Sequence, residues 1–145
     1  MVYAMRAYAF RLKPGADLKA ELQGLAEAHG LRAGCVLSCV GSLRRARLRM
    51  PSAIGEADVV KSFDEPMEIV SLTGTLALDG LHVHVSLARP DGACVGGHLV
   101  PGCIVNTTAE LVIGELPEAE FRRLPDSVTG YRELAVSPRR TEEEP

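Results

Sequence analysis

The sequence predicts an α+β fold in which an antiparallel, in part mixed, β-sheet is flanked by one main helix. Three observations carry this reading. Residues 17–28 show the one sustained helical period, with Leu18, Leu22, Leu25 and Ala26 on a single stripe. From Glu68 to Leu116 the chain reads as strand after strand, separated by turn signals at Asp79-Gly80, Pro90-Asp91-Gly92 and Pro101-Gly102. No helical stretch lies between those strands, which is the pattern of an antiparallel meander and not of parallel units with crossover helices.

Residues 3–12, YAMRAYAFRL, alternate and are rich in aromatics, so they read as a strand that Pro14-Gly15 ends. Asp17 caps a helix running to about Ala28. His29 and Gly30 form its exit, because an imidazole in the last turn suits the helix dipole and glycine suits a left-handed cap. His29 is therefore read as structural. Residues 33–50, AGCVLSCVGSLRRARLRM, form a second long strand with a bend or bulge at Gly41-Ser42. Its run Arg44, Arg45, Arg47 and Arg49 alternates with Leu48 and Met50, so it reads as a solvated strand face and not as a nucleic-acid patch. Residues 51–56 are loop and 57–63 a short strand. Four strand segments follow: MEIVSLTGTLAL, LHVHVSLA, ACVGGHLV and NTTAELVIGEL. Residues 117–126 read as a loop or short helix and 129–136 as the last strand. The reading gives one domain, 1–136, and a disordered C-terminal tail, 137–145, whose proline and charge offer no core residue.

Composition narrows the function classes. At 145 residues, 46% of them hydrophobic, the chain is globular and long enough to bury roughly two-thirds of its unfolded surface without disulfides. Sixteen basic residues against 19 acidic ones give a net charge of −3, which excludes a strongly basic nucleic-acid binder by charge alone. Without tryptophan and with 4% aromatics, neither a base-stacking platform nor an aromatic cage is expected. The four cysteines, Cys35, Cys39, Cys94 and Cys103, form no CxxC pair and read as reduced thiols in a cytoplasmic protein. No signal peptide and no 18-residue apolar run is read, so no membrane role is expected.

The informative segment is residues 81–100, LHVHVSLARPDGACVGGHLV. Leu81, Val83, Val85 and Leu87 point to one strand face, and His82, His84 and Ser86 to the other. If Pro90-Asp91-Gly92 is the loop, Arg89 pairs with Ala93 and His84 with His98, so three of the four histidines share one face. A bulge at Gly96-Gly97 would shift this register by one residue. Three neutral imidazoles without a fourth ligand suit Zn²⁺ with an open position, or another divalent transition metal such as Fe, Mn, Ni or Co, one per chain. Glu68 and Glu110 offer two readings: orienting an imidazole or moving a proton, or pairing with an arginine such as Arg6 or Arg44. Cys94 shares strand parity with His98 but stands ~13 Å along the strand, too far for a co-ligand.

EIVSLTGTLAL, HVHVSLARPDGACVGGHL, VNTTAELVIGEL and the ending LPDSVTGYRELAV together resemble the plants-and-prokaryotes-conserved (PPC) domain family. RLKPGADLKAELQGLAEAHGL and VLSCVGSLRRARL resemble its prokaryotic, bacterial branch, and the likeness covers about residues 4–136. The resemblance implies a trimeric PPC-like architecture and a metal site at His82, His84 and His98. The fold is similar to that of acetolactate decarboxylase, which also uses a three-histidine zinc site. Two functions follow as expectations. One is a homotrimeric metal-binding domain of a DNA-binding or regulatory family. The other is a small zinc-dependent metalloenzyme acting on a small oxo or hydroxy acid, with a small anionic ligand at the metal. Plant members carry AT-hooks, short Arg-Gly-Arg-Pro segments. This sequence has no such segment, so sequence-specific DNA binding is not expected of the isolated chain.

Overall fold

The structure, a computed structural model, describes residues 4–139. In chain order it contains β1 (Arg6–Leu12), α1 (Leu18–Ala28), β2 (Gly34–Arg49), β3 (Val60–Phe63), β4 (Met67–Ala77), β5 (Gly80–Ala88), β6 (Cys94–Leu99), β7 (Ile104–Glu115), β8 (Ala119–Pro125) and β9 (Arg132–Pro138). The class is the expected α+β, and every strand pairing among these residues is antiparallel.

Helix α1 begins and ends as its sequence signals require. Asp17 is extended, and its carboxylate accepts from the N–H groups of Lys19 at 3.0 Å and Ala20 at 3.2 Å. Its other oxygen accepts from Gly102 N–H at 2.6 Å, which ties the helix start to the β6–β7 turn. At the exit Gly30 has φ +60, Leu31 N–H reaches Ala26 C=O and Gly30 N–H reaches Glu27 C=O, the two bonds of a Schellman cap. Leu18, Leu22 and Ala26 are fully buried against the sheet.

Strand β2 is the spine of the sheet. It pairs with β7 along one edge and with β4 along the other, and the expected irregularity at Gly41 appears as a register shift. The order β1-β7-β2-β4-β5-β6 leaves no open edge at β6, because the end of β2 also pairs with β6, Leu48 opposite Leu99 and Arg49 opposite His98. The sheet therefore curls until β2, β4, β5 and β6 form a closed ring. The expected four-strand meander holds for β4, β5 and β6 only. With the edge of β6 already taken by β2, β7 crosses back and inserts between β1 and β2. The core lies between the curled sheet and α1, built from Leu43, Leu48, Met67, Leu76, Leu87, Leu99 and Leu111. Full burial of each such side chain contributes about 1.5–3 kcal/mol.

Residues 117–126 are not a loop or helix. They supply β8, which pairs with β9 in a separate two-stranded sheet. The turn between them is held by Asp126, whose carboxylate accepts from Val128 N–H at 2.7 Å and Thr129 N–H at 3.1 Å. Strand β9 continues through Pro138, past the expected domain end at 136, and Arg139 N–H bonds Glu118 C=O. The remainder of the expected tail, 140–145, lies outside the described residues. No helix among the described residues is long and apolar enough to cross a membrane.

Candidate metal centre

On β5, Val83, Val85 and Leu87 are buried in the core, so the alternate residues His82 and His84 stand on the opposite face. The β5–β6 turn closes through Arg89 N–H to Ala93 C=O, and His84 lies opposite His98. This is the register counted from the turn. The feared bulge at Gly96-Gly97 does not occur, and the two glycines have another reason. A Cβ on Gly96 would stand 2.8 Å from Val85 O, and one on Gly97 would stand 2.8 Å from Arg49 O. Both let β6 fit tightly between β5 and β2. Gly74 plays the same part behind the histidines, at φ +158, where a Cβ would meet His82 O.

The three imidazoles converge, with one ligating atom from each ring within 4.8 Å of the others. His82 Nε2 and His84 Nε2 are 3.2 Å apart. Two ligands of a tetrahedral ion with bonds of 2.0–2.1 Å stand about 3.3 Å apart, so the pair already has the spacing of a shared ion. His98 is half-buried, and its Nδ1 is a buried nitrogen without a hydrogen-bond partner. Burial, reinforced by Arg49 and the other two rings, pushes His98 down to about 4. Burial and then His84 also lower His82. Both rings are neutral at pH 7, the form that can donate a lone pair to a metal.

These histidines line a cavity of about 690 Å³ whose other walls include Arg49, Met50, Arg123, Tyr131, Arg132 and Glu133. Arg49 was assigned to a solvated face. Its alternation is right, but closure of β2 on β6 turns that face toward the cavity. Its guanidinium lies 3.3 Å from Asp58 and stacks over the Tyr131 ring at 5.2 Å. Arg123 on β8 and Glu133 on β9 had no sequence signal, because their hairpin was not recognised.

The other expected groups lie elsewhere. Glu68 and Glu110 are exposed on β4 and β7, outside the cavity wall. Among the described residues neither makes an ion pair with Arg6 or Arg44: in the register Glu110 lies opposite Arg11, and Glu68 opposite Ala88 and Ser42. Cys94 is exposed on β6, apart from the histidine cluster. His29 caps α1 and packs on the rings of Tyr8 and Phe10, as a structural residue should. All four thiols are unpaired, and burial pushes Cys39 up to about 11, which makes it a poor nucleophile.

The family model of the Plants and Prokaryotes Conserved (PCC) domain matches residues 2–117. This chain belongs to that family. The PCC domain is 46% identical over 135 residues to the bifunctional protein GlmU of Synechococcus sp., covering 93% of this chain and 21% of that protein. It is 31% identical over 129 residues to AT-hook motif nuclear-localized protein 16 of Arabidopsis thaliana, covering 84% of this chain and 48% of that one. The chain thus spans about a fifth of the length of GlmU and about half of the plant protein. A solved structure from Salmonella cholerae-suis matches with a TM-score of 0.89 at 41% identity, covering 96% of this chain and 98% of that one. A metal-containing protein from Archaeoglobus fulgidus matches with a TM-score of 0.80 at 27% identity, covering 93% and 99%.

Proposed function

We propose that this PCC domain holds one zinc ion, or another divalent transition metal, through His82, His84 and His98, and acts there on a small anionic molecule. The observation that carries the reading is the convergence of three histidines at the wall of an open cavity. A purely structural metal site is closed by a fourth protein ligand, whereas a site with three protein ligands keeps a position for water or substrate. The 3.2 Å nitrogen spacing and the unpartnered His98 Nδ1 fit an ion, and the metal-containing archaeal relative supports it. When bound, such an ion polarises a carbonyl or lowers the pKa of its water. Glu133 is the cavity carboxylate placed to move a proton, the part that Glu68 and Glu110 do not play. This geometry favours a small metalloenzyme, with a small oxo or hydroxy acid as the substrate class to try first.

The same reading includes a homotrimer in the cytoplasm. Leu37 and Val40 on β2 and Val70 on β4 are exposed apolar residues that self-association would cover, and four unpaired cysteines suit a reducing compartment. The AT-hook relative supports a second reading, in which the assembly serves DNA-associated regulation. The deciding experiment is elemental analysis of untagged protein, because a polyhistidine tag would supply competing ligands. About one transition-metal ion per chain is expected. A metal-free preparation that also fails to take up zinc, cobalt, nickel, manganese or iron would overturn the proposal. Native mass spectrometry at micromolar concentration tests the trimer, and a monomer alone would count against it.

A further inference from the structure

We propose that Arg123 is an oxyanion anchor, the residue that receives a carboxylate or phosphate group of whatever ligand occupies the cavity. The proposal rests on the metal-centre reading for its setting but not for its evidence. Arg123 is only 6% exposed, yet no carboxylate among the described residues lies within 4.0 Å of its guanidinium. Other arginines do have one: Arg49 pairs with Asp58, Arg45 with Asp64, Arg89 with Glu65 and Arg122 with Glu120. A guanidinium stays charged at any physiological pH, and a buried charge without a partner is strongly unfavourable. Such a group is retained where something else supplies the negative charge.

Its surroundings hold it in place without neutralising it. Backbone N–H of Arg123 donates to Asp79 Oδ2 at 3.0 Å, which fixes the strand. Its Nη2 donates to the Thr75 hydroxyl at 2.5 Å. Thr75 lies directly opposite His82 in the β4–β5 register, so this bond sets the guanidinium beside the histidine cluster. Nε–H is buried without an acceptor. The side chain lines the cavity together with Arg49 and Arg132, against the single carboxylate of Glu133. A guanidinium with free N–H groups on a cavity wall matches the fork geometry of a carboxylate or phosphate. A ligand held at one end by Arg123 would present its other oxygen atoms to the three imidazoles.

The test measures binding of inorganic phosphate and of acetate by calorimetry, each on chelator-treated and on zinc-loaded protein, with metal content read separately by emission spectrometry. Binding of at least one anion is expected in both preparations, tighter with zinc. Arg123→Gln should weaken it at least tenfold in both while leaving zinc content unchanged. The conservative Arg123→Lys should weaken it less. Which anion binds more tightly separates a carboxylate ligand from a phosphorylated one. A crystal of the unsubstituted protein with that anion, a readout that needs no variant, should place an oxygen within hydrogen-bond distance of the Arg123 guanidinium. Unchanged affinity in Arg123→Gln, no anion binding at millimolar concentration, or an anion bound away from Arg123 would each overturn the proposal. If zinc does not bind at all, the metal reading fails, and the chelator-treated arm still decides the anchor.

Discussion

The β5–β6 hairpin and the β8–β9 hairpin both line one cavity, yet they differ in patterning. In β5 the apolar residues Val83, Val85 and Leu87 face the core and the histidines face out. In β8 the long side chain of Arg123 is buried, at 6% exposure, on the same face as the small Ala119, while its neighbour Leu124 is 50% exposed. In β9 Leu134 and Val136 are exposed while Glu133 lines the cavity. The first hairpin is part of the sheet that makes the core. The second packs its polar face over a site. Where a strand lines a cavity and not the core, its polar side chains turn inward and larger apolar ones such as Leu124 and Val136 turn out.

The largest effect expected is on metal content. Replacing His82, His84 and His98 together with alanine should take the bound metal from about one ion per chain to none, and His84→Ala alone should remove most of it. Both proteins should remain folded, because the core lies on the other face of β5 and needs no ion. Elemental analysis and circular dichroism read the two outcomes. Stoichiometric metal in the triple variant would break the assignment of the hairpin, whatever its fold.

The same contrast accounts for what was legible. The histidine register could be counted from a turn because the Pro90-Asp91-Gly92 loop fixes both strands, and period-2 alternation tells which face is which. The helix was legible because Asp17 and Gly30 mark its ends with side-chain and backbone chemistry of their own. Three things were not legible. The β8–β9 pairing was hidden by the doublet Arg122-Arg123 and an outward Leu124, which spoil any strand pattern. The insertion of β7 between β1 and β2 depends on which edges remain free, a property of the assembled sheet. The approach of Arg49 to the histidines depends on the β2–β6 closure, for which the only local sign is Gly96-Gly97, and that pair reads equally well as a bulge.

Closure itself can be tested at the next lower magnitude. A Cβ on Gly97 would stand 2.8 Å from Arg49 O, a backbone atom that cannot swing aside. Gly97→Ala should cost about 1–3 kcal/mol, the range for forcing extra volume into a packed position. Because the strain falls at the pair Arg49–His98, zinc affinity should drop along with the melting temperature. Gly92→Ala on the exposed turn, where nothing lies within 4 Å, should leave zinc affinity unchanged despite its strained φ of +83. Equal loss of zinc affinity in both would show that the β2–β6 contact does not set the site.

A smaller effect is expected from pH in metal-free protein. His98 is pushed down to about 4 in the fold and returns to about 6.5 on unfolding. Above about 6.5 both forms are neutral at this residue, and pH does nothing through it. Between the two values the unfolded chain binds the additional proton, so stability falls as pH drops from about 6.5 to about 4. The decline should be visible in melting temperatures and should shrink in His98→Gln. An identical pH profile in that variant would remove His98 as its source.

The smallest effect expected is on duplex DNA, where the arginines of β2 and of β8 give the same answer for different reasons. Phosphate binding needs cations that a duplex can reach, and its affinity falls steeply with salt. On β2, Arg45 lies 3.3 Å from Asp64 and Arg49 lies 3.3 Å from Asp58, while Arg47 donates to Pro101 C=O. On β8, Arg123 is too deeply recessed to meet a phosphate backbone and suits only a ligand small enough to enter the cavity. With a net charge of −3 there is no surplus of positive charge to draw a polyanion. Fluorescence anisotropy with a random duplex library at ~0.15 M salt should show no saturable binding, with at most weak association at lower salt. Nanomolar binding that survives competitor DNA would restore the regulatory reading. It would also mean that the arginine strand of β2 gives up its acidic partners on contact, which Asp58→Asn and Asp64→Asn would reveal by tightening the complex further.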